Sequence, residues 1–157
     1  MTRLRYYGRG GILLDTLLTE GCIQVETVEM ADVVMVETYD NQSTDPVERL
    51  HGTITLVREA LDEIEHYVSK KMTIITDYSS INGNQREGTE AGAAINGVHG
   101  FGTLTAEVLS RRAANLGIET KVFRVHPEKT KHVISTIKSS FTAPNEGDKY
   151  QVITLRA

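Results

Sequence analysis

Two aspartates end apolar runs that are typical of β-strands. Asp15 ends the run GILLD at positions 11–15, and Asp77 ends the run MTIITD at positions 72–77. Burying a carboxylate is costly unless it is paired or bound to a cation. Acids at the ends of neighbouring strands can converge, and converging carboxylates bind Mg²⁺ or Mn²⁺. The sequence therefore predicts a metal site for phosphodiester cleavage at Asp15 and Asp77, unless each acid caps a local turn instead.

Glu37 offers a second register for the same chemistry. It ends the run VVMVE at positions 33–37, directly before the strongest helical pattern of the chain. In that register Glu37, and not Asp77, would be the second metal-binding acid. Too little chain precedes it for three full strands, so this alternative ranks below the first.

Glycines and histidines point to other chemistry. Segment 81–102 contains six glycines and predicts a long loop, with a short helix at 91–96. Loops of this length inside a compact domain are often functional, and His99 within it could be a general acid or base. His51 falls on the polar face of a predicted helix. No glycine run fits a P-loop or a dinucleotide-binding fingerprint, because the spacing fails and no Gly-Lys-Ser/Thr follows.

Three helices and several strands must position these residues. A helix over 45–69 follows from apolar positions spaced alternately three and four residues apart, with Asp45 as its cap and Pro46 at its first position. Further helices are predicted over 103–116 and from Pro127 onward. The candidate strands are Arg3–Tyr7, Gly11–Leu18, Cys22–Val28, Val33–Tyr39, Met72–Thr76, Lys121–Val125 and Tyr150–Arg156. Their order predicts an α/β fold with a mixed sheet, in which an antiparallel meander precedes parallel additions.

Composition limits the class of protein. The 157 residues suit a single domain over 1–157, and no run approaches the length of a membrane span. The single cysteine, Cys22, cannot form an internal disulfide, and no signal peptide is evident, which predicts a cytoplasmic location. Residues 1–102 carry a net charge of −8 and residues 103–157 carry +4. That asymmetry would suit a carboxylate-rich metal site beside a phosphate-binding surface.

Several segments together resemble the RuvC group of Holliday junction resolvases in the ribonuclease-H-like superfamily. Residues 11–23 look like that family's first strand and turn, and residues 74–79 look like its second acidic strand before a glycine-rich loop. The likeness continues through residues 99–102, the second helix and strand 121–125 to the stretch that contains Pro127, Lys129 and Lys131. The family usually has Glu at the second acidic position and ends in an acid-bearing helix. This chain has Asp77, and near its end only Glu146 and Asp148.

The resemblance implies a metal-dependent, structure-selective nuclease with a ribonuclease-H-like mixed sheet and three main helices. It would cut branched DNA with Mg²⁺ or Mn²⁺ as a homodimer. The implied catalytic residues are Asp15, Asp77, Asp148 and Glu146, of which Asp15, Asp77 and Asp148 would bind the metal. The implied DNA-binding residues are Lys129, Lys131, Arg111 and Arg112.

Two other classes of function stay open. The unusual C-terminus favours a non-catalytic α/β module for assembly or nucleic-acid binding. The glycine-rich segment 81–102 favours a small-molecule enzyme in which this segment is a lid, with Asp77, Glu90 or His99 as acid–base groups.

Overall fold

The structure is a computed structural model that describes residues 1–38, 46–77, 106–125, 130–145 and 147–155. These residues form six strands and four helices. In chain order they are β1 (Arg3–Tyr7), α1 (Ile12–Thr19), β2 (Ile23–Gln24), β3 (Val33–Glu37), α2 (Pro46–Ile64), β4 (Lys71–Asp77), α3 (106–115), β5 (Glu119–Val125), α4 (Lys131–Ser140) and β6 (Tyr150–Leu155).

The strands form one sheet in the order β2-β1-β3-β4-β5-β6, and every pairing between the described strands is parallel. The predicted α/β class is confirmed. The predicted ribonuclease-H-like mixed sheet is wrong, because the described strands contain no antiparallel meander. The reason lies in the connections: helices or long segments separate the strands, and such crossovers return the chain in the same direction.

Helices cover both faces of the sheet. Leu13 and Leu17 of α1 and Ile134 and Ile137 of α4 are buried against one face. Residues of α2 and α3, Val57 and Ala113 among them, are buried against the other. Strands buried on both faces are continuous apolar runs, which is why VVMVE of β3 is buried at all five positions.

The order in which successive strands are added to the sheet reverses beside β1. The chain runs from β1 to β2 on one side, then returns to β3 on the other side of β1 and continues outward to β6. In open parallel sheets, ligands bind outside the carboxyl ends of the strands at such a reversal. The topology therefore directs attention to the carboxyl ends of β1 and β3.

One crossover has an unusual hand. The connections β3–β4, β4–β5 and β5–β6 run in the same direction across the sheet. Helices α2 and α3 cover one face, whereas α4 packs with α1 on the opposite face. The crossover through α4 therefore has the opposite hand to the other two, although about 98% of such crossovers share one hand.

Most predicted elements are confirmed with shifted ends, but the strand over Gly11–Leu18 is wrong. That segment forms α1, because Leu13, Leu14 and Leu17 lie on one helical face and are buried. The predicted strand over 22–28 is reduced to two residues. The segment 81–102, with its short helix, lies outside the described residues. No helix in the described part of the chain is long and apolar enough to cross a membrane.

Candidate functional site

A glycine-rich turn joins β1 to α1 at the carboxyl edge of the sheet. Gly8, Gly10 and Gly11 occupy three of its four positions. Gly10 has φ 76° and Gly11 has φ 134°, which side-chain-bearing residues rarely adopt. Apart from the chain neighbours of each glycine, no described atom lies within 4 Å of a Cβ placed on Gly10 or Gly11, so the described residues leave the space over the turn open.

Helix α1 begins directly after this turn. Gly11 is its N-cap, and no side chain of the described residues caps the helix. The first four N–H groups of a helix have no partner within the helix, and its dipole adds partial positive charge there. Because these groups lie beside an open glycine turn, this end of α1 suits an anion such as a phosphate.

A buried tyrosine lies beneath the turn. The hydroxyl of Tyr6 donates to Oε1 of Glu37 at 2.5 Å and accepts the N–H of Gly10 at 3.2 Å. A Cβ on Gly8 would collide with the same hydroxyl, so any larger residue at position 8 would displace the Tyr6 side chain. Burial, followed by the negative charge of Glu37, raises the pKa of Tyr6, so its hydroxyl keeps its proton.

A cleft of about 280 Å³ opens beside the turn, between the end of β3 and helix α2. Its lining includes Arg9 from the turn, Glu37 and Thr38 from the end of β3, and His51 from α2. Thr38 is fixed by its N–H and its hydroxyl, which both donate to the carbonyl of Ile75 at 2.9 Å. The cleft is therefore lined by carboxylate, hydroxyl, imidazole and guanidinium groups at the point where the strand order reverses.

A second acid lies on the other side of β1. Strand β2 ends at Gln24, and the N–H of Val25 continues the pairing to the carbonyl of Leu4 at 2.8 Å. Glu26 follows at the carboxyl edge and is exposed. The glycine turn is thus flanked by an exposed acid at the end of β2 and a buried acid at the end of β3.

The structure separates Asp148 from the other two predicted metal ligands, Asp15 and Asp77, which both lie towards the carboxyl edge. Asp15 lies exposed in the first turn of α1, and Asp77 is the last residue of β4. Asp148 precedes β6 and therefore lies at the amino edge, opposite Asp77 in a parallel sheet. A six-residue strand such as β6 separates these edges by about 20 Å. Among the residues that the structure describes, no three His, Cys, Asp or Glu side chains could hold a metal ion together.

The predicted DNA-binding residues are also dispersed. Arg111 and Arg112 are on α3 and Lys131 is on α4, and these helices cover opposite faces of the sheet. The guanidinium of Arg111 lies over the ring of Tyr150 at 4.8 Å, and Arg112 binds the carboxylate of Glu65, directly after α2, at 3.1 Å. Lys129 and Glu146 lie outside the described residues, as do His99 and Glu90.

Sequence reasoning missed the glycine turn, Tyr6 and Glu26. A signal was present, since three glycines within four residues separate a strand from an apolar run. The dinucleotide-binding fingerprint was excluded because the glycine spacing does not match it in full. In the observed turn the departure is Leu13, which stands at the place of the third glycine. Glu26 could be recognised only once residues 12–19 were known to form a helix between two parallel strands.

The sequence matches no protein-family model, and no curated protein matches it. Solved structures do share the fold. A UDP-N-acetylglucosamine 4-epimerase from Bacillus cereus superposes with a TM-score of 0.58 at 12% identity, covering 80% of this chain and 55% of its own. A short-chain dehydrogenase/reductase superfamily protein from Agrobacterium tumefaciens with bound NAD gives 0.55 at 14% identity, covering 78% of this chain and 48% of its own.

A third structure matches over nearly its full length. Serine dehydrogenase from Escherichia coli superposes with a TM-score of 0.55 at 11% identity, covering 100% of this chain and 97% of its own. The chain thus spans about half the length of the first two proteins but almost all of the third. At these identities the likeness establishes the fold, which is Rossmann-like.

These matches correct the functional prediction. The fold neighbours are epimerase and dehydrogenase structures, so the RuvC-like resemblance is wrong, and so are the nuclease activity and the branched-DNA substrate. The Mg²⁺ or Mn²⁺ prediction is wrong as well, because one neighbour holds NAD and the described residues form no metal-binding group. The homodimer was predicted because a resolvase must cut two DNA strands symmetrically, and without nuclease activity that reason no longer applies. Of the alternatives, the small-molecule enzyme fits the fold better.

Proposed function

We propose that the carboxyl edge around β1 binds a nicotinamide dinucleotide of the NAD type and that the chain is a small-molecule oxidoreductase-like protein. The observation that carries this proposal is the open glycine turn before the uncapped helix α1, at the reversal point of a parallel sheet. In the Rossmann fold that turn approaches the pyrophosphate, which binds at the helix N-terminus.

The two flanking acids, Glu26 and Glu37, indicate the orientation of the proposed dinucleotide along the carboxyl edge. In dinucleotide-binding folds an acid about 20 residues after the turn binds the ribose 2′-hydroxyl of NAD. Glu26 follows Gly8 by 18 positions and lies at the end of β2. With the adenosine ribose at Glu26 and the pyrophosphate at the turn, the nicotinamide half extends over β1 towards the cleft beside β3.

The cleft has the chemistry for that half and for a small substrate. The carboxylate of Glu37 disfavours phosphate and accepts hydrogen bonds from hydroxyl groups. Thr38 and His51 add further hydrogen-bonding groups, and Asp77 ends the neighbouring strand at the same edge. A bound nicotinamide would supply hydride transfer, while these residues would bind and orient the substrate.

The fit is incomplete at one position. Leu13 replaces the third glycine of the fingerprint and is fully buried, so α1 packs on the sheet through a leucine side chain instead of by close backbone approach. Gly8 and Gly10 fill the first two positions of the pattern, and Gly10 has the open approach that a pyrophosphate needs.

The proposal is tested by titrating the protein with NADH. The fluorescence of NADH, excited directly at a wavelength that tyrosine does not absorb, reports binding, and calorimetry gives the Kd. We expect saturable binding by the wild-type chain. Gly10→Ala should weaken binding about tenfold or more, because it strains a positive-φ position and places a methyl group where the pyrophosphate lies.

Gly117→Ala is the matched control. Gly117 also has positive φ, 92°, and open space around its Cα, but it follows α3 at the amino edge, away from the turn. It should lower stability as Gly10→Ala does and leave the Kd for NADH unchanged. Absence of saturable NADH binding by the wild-type chain, or equal loss of affinity in both variants, would contradict the proposal.

A further inference from the structure

Tyr6 connects three parts of the proposed site through one atom. Its hydroxyl contacts the carboxylate of Glu37 on β3, the N–H of Gly10 in the turn, and the space where residue 8 would carry a Cβ. The side chain is only 7% exposed. Tyr6 and Met35 are paired in register, so Glu37, two residues further along β3, lies on the same face of the sheet as Tyr6.

The hydrogen bonds of this hydroxyl have a fixed direction. Burial and the charge of Glu37 keep the phenol protonated, so it donates to the carboxylate and accepts from the backbone. A bond to a carboxylate is charge-assisted, and it gains strength away from water. The acceptor side of the hydroxyl is thereby held towards Gly10.

We propose that Tyr6 is a positioning residue that holds the glycine turn in the shape that receives a phosphate, an inference that rests on the proposed function. The N–H of Gly10 is turned inward to Tyr6, which leaves the N–H groups of the first turn of α1 for the ligand. Because Glu37 also lines the cleft, the same pair joins the phosphate end of the site to the cleft end.

Tyr7 provides a matched control one residue away. It is 5% exposed and packs on the opposite face of the sheet, against α2. Its hydroxyl interacts with the side chains of Glu63 and Arg5, away from the glycine turn. Removing that hydroxyl in Tyr7→Phe changes a buried tyrosine of β1 in the same way as Tyr6→Phe without touching the turn.

The first measurement needs no ligand. Hydrogen exchange at the amide of Gly10 is followed by NMR in the wild type, Tyr6→Phe and Tyr7→Phe. We expect exchange at Gly10 to be about tenfold faster in Tyr6→Phe only, because that amide loses its buried acceptor. Glu37→Gln keeps an oxygen acceptor for Tyr6 and should largely retain the protection. Unchanged exchange at Gly10 in Tyr6→Phe would overturn the inference.

The second measurement is the Kd for NADH of the same variants. We expect Tyr6→Phe to weaken binding about tenfold while Tyr7→Phe binds as the wild type does, with both variants folded by thermal unfolding. If the wild type binds NADH and Tyr6→Phe binds it equally well, this inference fails and the proposed function stands. If the wild type does not bind NADH, the proposed function fails, and the role of Tyr6 in ligand binding fails with it.

Discussion

At the residue scale, the two acids beside the glycine turn differ in their surroundings and therefore in their roles. Glu37 is 5% exposed and binds the Tyr6 hydroxyl, so it contributes to the structure of the site as well as to its charge. Glu26 is exposed at the end of β2, where it can meet a ligand directly. In the proposed binding mode, Glu26 is the residue that distinguishes NAD from NADP.

The exposed acid predicts a preference for NADH over NADPH. A 2′-phosphate would lie against the carboxylate of Glu26 and be repelled, whereas a 2′-hydroxyl can donate to it. We expect Glu26→Lys to reverse the preference, with the ratio of the two Kd values changing by about tenfold or more. Calorimetric titrations with NADH and NADPH measure this ratio.

Glu29→Lys is the control for Glu26→Lys. Glu29 is also exposed and lies in the same connection between β2 and β3, three residues after Glu26, the proposed ribose-binding residue. The charge change is identical, so a general electrostatic effect would appear in both variants. Equal changes in the ratio of the Kd values for NADH and NADPH in the two variants would show that Glu26 does not contact the ribose.

At the element scale, the sequence predicted long patterns correctly and misassigned a short one. The apolar stripe of α2 extends over several turns, and a strand cannot produce it. The run at 11–18 is eight residues long and mostly apolar, a length at which buried strand and helix cannot be separated by pattern alone. Taking it as a strand placed Asp15 at a strand end, and the metal site depended on that placement.

An ion pair joins helix α3 to strand β5. The guanidinium of Arg124 binds Glu107 through two hydrogen bonds of 2.6 and 2.7 Å, and the Glu107 side chain is 9% exposed. Removing the cation leaves a buried carboxylate without its partner. We expect Arg124→Met to lower the free energy of unfolding by about 3 kcal/mol in urea denaturation.

Arg112→Met is the comparison for that measurement. Arg112 also binds a glutamate, Glu65, but its own side chain is 63% exposed. Exposed ion pairs contribute little, so the loss should stay below about 1 kcal/mol. Similar losses in Arg112→Met and Arg124→Met would mean that burial does not distinguish the two pairs.

At the scale of the whole molecule, the sequence did not determine the order or the direction of the strands. Apolar runs predict strands, but β3 and β4 look alike whether their neighbours run parallel or antiparallel. The crossover through α4 has the opposite hand to the crossovers through α2 and α3, so the rule of one common hand would have placed that helix on the wrong face. The candidate site lies where strand order reverses, so it could not be located before the topology was known.

The topology also decides which part of the surface can bind the proposed ligand. Parallel strands place all their carboxyl ends at one edge, so the glycine turn, Glu26 and Glu37 share an edge although they lie in different parts of the sequence. Asp148 and the start of β5 lie at the other edge. A dinucleotide bound as proposed therefore contacts one edge of the sheet and leaves the other unchanged.

The most direct test of this account maps the amide resonances of the wild-type chain during a titration with NAD⁺. The account predicts concentration-dependent shifts at residues 8–14 and 24–26, with further shifts at Glu37 and Thr38 and none at Lys121 on the amino side of β5. Shifts confined to the amino edge, or no shifts at millimolar NAD⁺, would contradict it.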